Sequence, residues 1–463
     1  MRSSYEKIFT LGLICLFFIN VGVLVLPSSP IDRGDIECIS TYDFLIIGPD
    51  EFDDAIGAFV EHKQGKGITT IAISTEEIYQ GYQGRDDAEK IKTYIKEMHE
   101  NHDISYVLLL GGRKGQSFNW FVPVRYVHLD DGTGTYTSYF TDLYFADLYK
   151  EDGSFEDWDS NDNDLFGEFT PFNGDNLDLN PDISVGRIPC RTKKEAESII
   201  EKIISYENTA YGSSWFHTAV MVGGDTFPNA EGYEGEQVCD YASQFLQDFS
   251  IEKLYATTGA ITTSTDLVSA INAGCGFVFT RAKGGQDRVR VVTSDNEEII
   301  ALHNRDISSL SYDERYPIMI LGECIHAKFD VTILNIFHYL FGHPNYFRSD
   351  CLFDCIAGKL VHKEHGGAIA VLTNVNLCYG SNGDENQNEI PDDAENYGGF
   401  LAVEALRIYA EEQKNILGDV FLQTQQEYVD TFPVHSDKNE CKSIQDWILI
   451  GDPTLKIGGY PSS

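Results

Sequence analysis

An apolar run, Ile318-Met319-Ile320-Leu321, stops at Gly322-Glu323-Cys324. A buried strand that ends so abruptly delivers one side chain to the edge of a sheet. In an open α/β fold, ligands bind outside the carboxyl ends of the strands. A cysteine at that place can act as a nucleophile when a base stands beside it. Gly322 would let backbone approach closely, as a pocket for an oxyanion requires. An earlier run, Gly276-Phe277-Val278-Phe279, ends in Thr280-Arg281-Ala282-Lys283-Gly284-Gly285. If the two runs are neighbours in one sheet, the base belongs at this second strand end, and the residue offered there is Lys283. The ordinary alternative is that Cys324 is a small buried hydrophobe, which is what cysteine commonly is.

The elements that must position these residues follow an α/β rhythm. Strands are expected at 42–47, 68–73 and 104–110, with helices at 51–63 and 86–99 between them. This βαβαβ order predicts a parallel sheet with helices on both faces. From 119 to 182 the chain is rich in Asp, Asn, Gly and Tyr and reads as loops with short antiparallel strands. Order returns at Ile183-Ser184-Val185-Gly186-Arg187-Ile188-Pro189, followed by a helix from 193 to about 207. A second cycle has strands at 218–223, 276–279, 317–321 and 368–372. Its helices are expected at 236–249, 265–272, 352–361, 397–411 and 416–428. The expected division is a targeting segment at 1–29, one α/β subdomain at 38–212, and a second at 213–458 that carries Cys324. The fold class is thus α/β: two adjacent subdomains with mainly parallel sheets.

The chain has 463 residues and a formal charge of −39. Such a surface repels nucleic acid, which is excluded as a main partner. Arg2 and Lys7 precede an almost wholly apolar stretch, Ile8 to Leu26. It reads as a signal peptide or a retained N-terminal anchor. The rest of the chain is then expected outside the cytoplasm, secreted or held at the outer face of the membrane. Membrane contact would come only through this segment, if it is uncleaved. Ten cysteines are present. Setting aside Cys15 in the targeting stretch leaves an odd number, so an exported chain keeps at least one free thiol. Cys324 is the candidate.

In combination these stretches resemble the gingipain-type cysteine peptidases. The strand-like run at 276–279 and its glycine turn, then Pro317 to Cys324 and Phe329, are similar to that family's catalytic region. Leu108-Leu109-Leu110-Gly111-Gly112, Thr141-Asp142-Leu143-Tyr144-Phe145-Ala146, Asp182 to Pro189, and Trp447 to Leu455 with its Gly451-Asp452-Pro453 resemble other family stretches. The likeness runs from Tyr42 to Ile457. It implies a caspase-like second subdomain, a protein or peptide substrate, and Cys324 as nucleophile. In that family a histidine in a Gly-His-Gly turn takes the thiol proton and returns it to the leaving amine. The matching residues here are Ala282-Lys283-Gly284, so Lys283 occupies the histidine's place.

An imidazole, with a pKa near about 6.5, can accept and donate a proton at neutral pH, whereas a lysine near about 10.4 is already protonated. Arg281, Arg288 and Arg290 crowd the same segment and can hold a thiolate but cannot shuttle protons. The dyad therefore reads as degenerate. The alternative function is a non-catalytic pocket that binds a peptide or surface partner through Lys283 and these arginines. His326 and His303 are other imidazoles near the two strand ends and read as structural. His362 and His365 flank a helix end, where a cation is favourable. No His-Glu-x-x-His and no Gly-x-Ser-x-Gly is present, and no organic cofactor is implied.

A second expected site is ionic. Asp157, Asp159, Asn161, Asn163 and Glu168 fall at places one, three, five, seven and twelve of a calcium-loop pattern, with Asp162 where glycine is usual. The family resemblance makes calcium relevant. Asp384-Glu385-Asn386-Gln387-Asn388-Glu389 is a second, weaker candidate, and a solvated acidic loop is the plainer reading of each.

Overall fold

The computed structural model describes residues 41–129, 138–169, 174–227, 232–293, 295–310, 314–342 and 352–461. The expected targeting segment, 1–29, lies outside the described residues, as do Cys38 and Cys351. Among the described residues no helix is long and apolar enough to cross a membrane.

Strands β1 (Phe44–Gly48), β2 (Thr70–Ser74) and β3 (Tyr106–Leu110) come first, with helices Asp53–Gly65 and Asp87–His102 between them. A short antiparallel hairpin follows, β4 (Arg125–His128) with β5 (Ser138–Thr141). Then come β6 (Ser184–Ile188) and helix Lys193–Thr209. The second cycle holds β7 (Thr218–Gly223), β8 (Ser250–Tyr255) and β9 (Phe277–Arg281). Three small strands, β10 (Lys283–Gly285), β11 (Arg288–Val292) and β12 (Glu298–His303), make an antiparallel sheet of their own. β13 (Ile318–Leu321), β14 (Ala370–Asn374) and β15 (Trp447–Ile450) complete the set.

Ten of these strands form one sheet in the order β2-β1-β3-β6-β15-β14-β13-β9-β7-β8. β1, β2, β3 and β6 are mutually parallel, as are β14, β13, β9, β7 and β8. β15 runs with β6 and against β14, so the two parallel blocks point in opposite directions. Strands buried on both faces read as continuous apolar runs, and Phe44, Leu45, Ile46 and Ile47 are all inaccessible to solvent.

Buried ion pairs hold the helices and turns around the first block. Lys63 donates to Glu207 at 2.8 Å and to Asp452 at 2.6 Å, which ties two helices to the Gly451-Asp452-Pro453 turn. Arg187 forks onto Asp142 at 2.7 and 2.8 Å and donates to the carbonyls of Gly111 and Val122. Breaking one partner of such a pair leaves a buried charge uncompensated, at about 3–5 kcal/mol.

Some elements differ from the expected bounds. The helix expected at 236–249 is Glu234–Ser243, because Phe249 turns inward to pack its ring against Phe216 and Phe277, with centroids 5.9 and 5.6 Å away. The helix expected at 352–361 starts at Ile356, where the Cys355 sulfur caps the N–H of Gly358. The helix Ile333–Leu340 and the small sheet β10–β12 are not among the expected elements.

Candidate functional site

β13 pairs with β9 on one side and β14 on the other, all three parallel, so their carboxyl ends lie side by side. Each end contributes to the site. After β13 the chain turns at Gly322, Glu323 and Cys324. Ile325 then adopts a φ of +64°, unusual for a β-branched residue. The turn is held from the β14 side: Ile325 N–H donates to Asn376 O at 2.9 Å, Asn374 Nδ2 to Glu323 O at 3.1 Å, and Thr373 Oγ1 to Leu321 O at 2.8 Å.

From the β9 side, β10 lies directly on Cys324. A Cβ at Gly284 would come 2.3 Å from Cys324 O and 2.6 Å from its N, so only glycine fits. Sequence neighbours in this crossing are therefore space neighbours, and Lys283 stands one residue from the contact.

The side chains nevertheless turn apart. The Cys324 sulfur faces the segment after β14. It accepts the Cys378 N–H at 3.2 Å and lies 3.4 Å from Cys378 O. Burial pushes this thiol up, opposed by the Cys378 N–H and by the charges of Lys442 and Arg281. The Lys283 ammonium makes no hydrogen bond or ion pair with any described residue, and its charge is felt at Asp225, on the segment after β7. Burial raises the Asp225 carboxyl, and Lys283 partly offsets this. On β11, Arg290 stands directly across from Lys283 and Arg288 across from Gly285. Arg290 pairs with Glu298 at 2.9 Å and Arg288 with Asp287 at 2.7 Å.

The other imidazoles are engaged elsewhere. His326 is fully buried with its Nε2 3.5 Å from Glu323 Oε2, and burial pushes it down to about 3 while pushing Glu323 up to about 7. His303 Nε2 lies 3.3 Å from Asp287 Oδ2 on the far edge of the small sheet. The helix end at His362 is served by the Lys202 ammonium, which donates to Val361 O at 2.6 Å, Lys363 O at 3.0 Å and Ala368 O at 2.9 Å.

Two features of the site had no local signature, the Asp393 partner of Arg281 and the place of Cys378. Arg281, the last residue of β9, is forked onto Asp393 at 2.5 Å from both Nε and Nη2, and it also donates to Gly322 O. Cys378 was visible only as one cysteine among several. Its place four residues beyond β14, at the third strand end, was the available clue.

The acidic loop is organised about Asp159 rather than Asp157. Asp159 accepts the N–H groups of Asn163 at 2.9 Å and Asp164 at 3.0 Å, while Asp157 faces Arg85 at 3.3 Å. The Arg85 guanidinium also reaches Asp159, at 2.7 Å. Asn161 and Asn163 both donate to Glu168. The loop at 384–395 repeats this plan. Asp384 accepts from Asn388 at 3.1 Å and Glu389 at 3.0 Å, and Asn386 and Asn388 donate to Glu395 at 3.0 and 2.7 Å. The left-handed residues also correspond: Asp162 and Asp164 in one loop, Gln387 and Glu389 in the other. In both loops backbone N–H groups turn onto one Asp, and carboxylate and amide side chains, which carry the oxygen atoms a hard cation takes, stand at alternate places.

The model of peptidase family C25 matches residues 39–458. An uncharacterized protein of Archaeoglobus fulgidus is 27% identical over 177 residues, covering 35% of this chain and 41% of that protein. The matched part thus spans less than half the length of this curated relative. Among solved structures, the complex of Porphyromonas gingivalis RgpB pro- and mature domains superposes with a TM-score of 0.60 at 17% identity, covering 90% of this chain and 79% of that one. The Arg-specific cysteine proteinase gingipain R (RgpB) gives a TM-score of 0.60 at 17% identity, covering 90% and 78%. At this identity the likeness carries the fold, a mainly parallel α/β sheet of caspase-like type.

Proposed function

Because the chain belongs to peptidase family C25, we propose that it is a gingipain-type cysteine peptidase domain that acts outside the cytoplasm on proteins or peptides, with Cys324 as nucleophile and a dyad that has lost its base. The observation that carries this reading is the seat of Cys324 at the carboxyl end of β13, between the ends of β9 and β14. The extracytoplasmic part rests on the apolar stretch Ile8 to Leu26.

The weak dyad follows from chemistry. A positioned general base supplies about 10²–10⁴ in rate. Lys283 stands at the histidine's place and has no contact with the sulfur, and burial keeps the thiol protonated. The test is cleavage of peptide libraries by the purified chain, with and without calcium, alongside Cys324→Ala. Slow cleavage that disappears in the variant supports the reading. Cleavage that persists in Cys324→Ala removes Cys324 from the chemistry, and brisk cleavage by the unaltered chain removes the lost base.

A second reading is a non-catalytic peptide-binding pocket. Lys283, Arg290 and Arg288 at one strand crossing make a basic strip on a chain of net charge −39. Peptide binding without cleavage, weakened by Lys283→Glu, would favour it.

We also propose that the loop of Asp159, Asn161, Asn163 and Glu168 holds calcium, and that the loop of Asp384, Asn386, Asn388 and Glu395 holds a second ion. Calcium would neutralise each carboxylate cluster and stiffen its loop. It takes no part in the bond cleavage proposed for Cys324.

A further inference from the structure

We propose that Cys324 and Cys378 are a redox pair, closed to a disulfide when a peroxide oxidises one of them and reopened by a dithiol. Three observations carry this. First, the Cys324 sulfur rests on the Cys378 peptide, 3.2 Å from its nitrogen and 3.4 Å from its oxygen. A disulfide requires the two Cα atoms within about 7 Å, and a sulfur in contact with the other residue's amide sets the two residues side by side at neighbouring strand ends.

Second, access separates these two from the other described cysteines. Cys190, Cys239, Cys275, Cys355 and Cys441 are buried, whereas Cys324 and Cys378 are both partly open to solvent. A small oxidant can therefore reach this pair and not the rest. Third, the surroundings of Cys378 are built for a sulfur. A Cβ at Gly398 would come 2.1 Å from Cys378 Sγ, so glycine there makes the room. Arg281 Nη1 stands 4.0 Å from the same sulfur, a cation beside a group that must act as an attacking thiolate.

The chemistry balances in two steps. The Cys324 thiol attacks one oxygen of a hydroperoxide; the O–O bond breaks, an alcohol or water leaves, and sulfur is oxidised to the sulfenic acid. Cys378 then attacks that sulfur. The S–S bond forms, the S–O bond breaks, and water departs with the Cys378 thiol proton. Burial raises both thiols, so the first step is slow and proximity drives the second. The closed form has no free sulfur on Cys324, and any chemistry of that thiol stops until a reductant restores it.

The test uses the full chain and does not depend on peptidase activity. The protein is treated with hydrogen peroxide, free thiols are capped with iodoacetamide, and a non-reducing tryptic digest is read by mass spectrometry. The expected result is a cross-link between peptides 316–328 and 364–407, each of which holds one cysteine, with loss of two alkylatable thiols and full reversal by dithiothreitol. In Cys378→Ser, dimedone should instead label Cys324. The proposal is overturned if the wild-type chain gives dimedone-labelled or sulfinic Cys324 while Cys378 stays alkylatable, or if peroxide leaves both thiols free. Should Cys378→Ser fail to fold, the wild-type peptide map decides alone. A chain that cleaves nothing can still form the cross-link, so failure of the peptidase reading and failure of the redox pair are told apart.

Discussion

The guanidinium of Arg281 is held by the carboxylate of Asp393 through two bonds of 2.5 Å, across 112 residues of sequence. The pair joins the end of β9 to the segment that leads into helix Tyr397–Glu411. It also orients Arg281 toward Gly322 O, beneath the Cys324 turn. Asp393→Asn would leave a buried cation without its counter-charge. The expected loss of folding free energy is about 3–5 kcal/mol, read from urea unfolding. A loss below about 1 kcal/mol would show the pair to be dispensable.

Gly284→Ala should act through sterics alone. The added methyl would lie 2.3 Å from Cys324 O, and overpacking of this kind costs about 1–3 kcal/mol. The displaced turn should also change the alkylation rate of Cys324. Gly285→Ala is the control: its Cβ would meet nothing nearer than 3.8 Å, so stability should change by less than about 0.5 kcal/mol.

Glu323 and His326 pull stability in opposite directions with pH. The folded chain keeps the Glu323 proton up to about 7, against 4.5 when unfolded. That contribution is full below 4.5 and lost as pH rises to about 7. His326 stays neutral down to about 3, against 6.5 unfolded. Its contribution is present above 6.5 and lost as pH falls. Between pH 4.5 and 6.5 the two slopes oppose each other. Glu323→Gln should therefore leave a chain more sensitive to acid. Its stability relative to wild type should drop by about 2–3 kcal/mol between pH 7.5 and 5, at about 1.4 kcal/mol per unit. Parallel urea curves at the two pH values would refute this.

Calcium at a hundred times its dissociation constant should stabilise the chain by about 2.7 kcal/mol per site, seen as a rise in Tm. Glu168→Gln and Glu395→Gln should each remove part of that rise, and the double variant most of it. Magnesium, which demands a tighter octahedral shell, should shift Tm less. An identical Tm with calcium and with chelator would rule out both loops.

The parts of the site that were legible in the sequence are those that local pattern encodes. Unbroken apolar runs fixed β9 and β13, and their glycine-rich ends marked where Cys324 and Lys283 would emerge. The direction each side chain takes was not legible. It depends on Gly284 lying against Cys324 and on Cys378 arriving from the third strand, contacts that leave no trace in a local period. The Arg281–Asp393 pair was hidden for the same reason. In the acidic loop the alternating pattern was plain, but its register was not: the backbone turns about Asp159 because the N–H groups of Asn163 and Asp164 converge there.

The place of β15 has a consequence for biosynthesis. It inserts between β6 and β14, yet it follows both of them in chain order. Until residues 447–450 emerge, both flanking strands are naked edges, each able to template aggregation. Closure of the sheet in the nascent chain must therefore wait for residues 447–450, and a holdase chaperone that shields those edges should raise the yield of native protein.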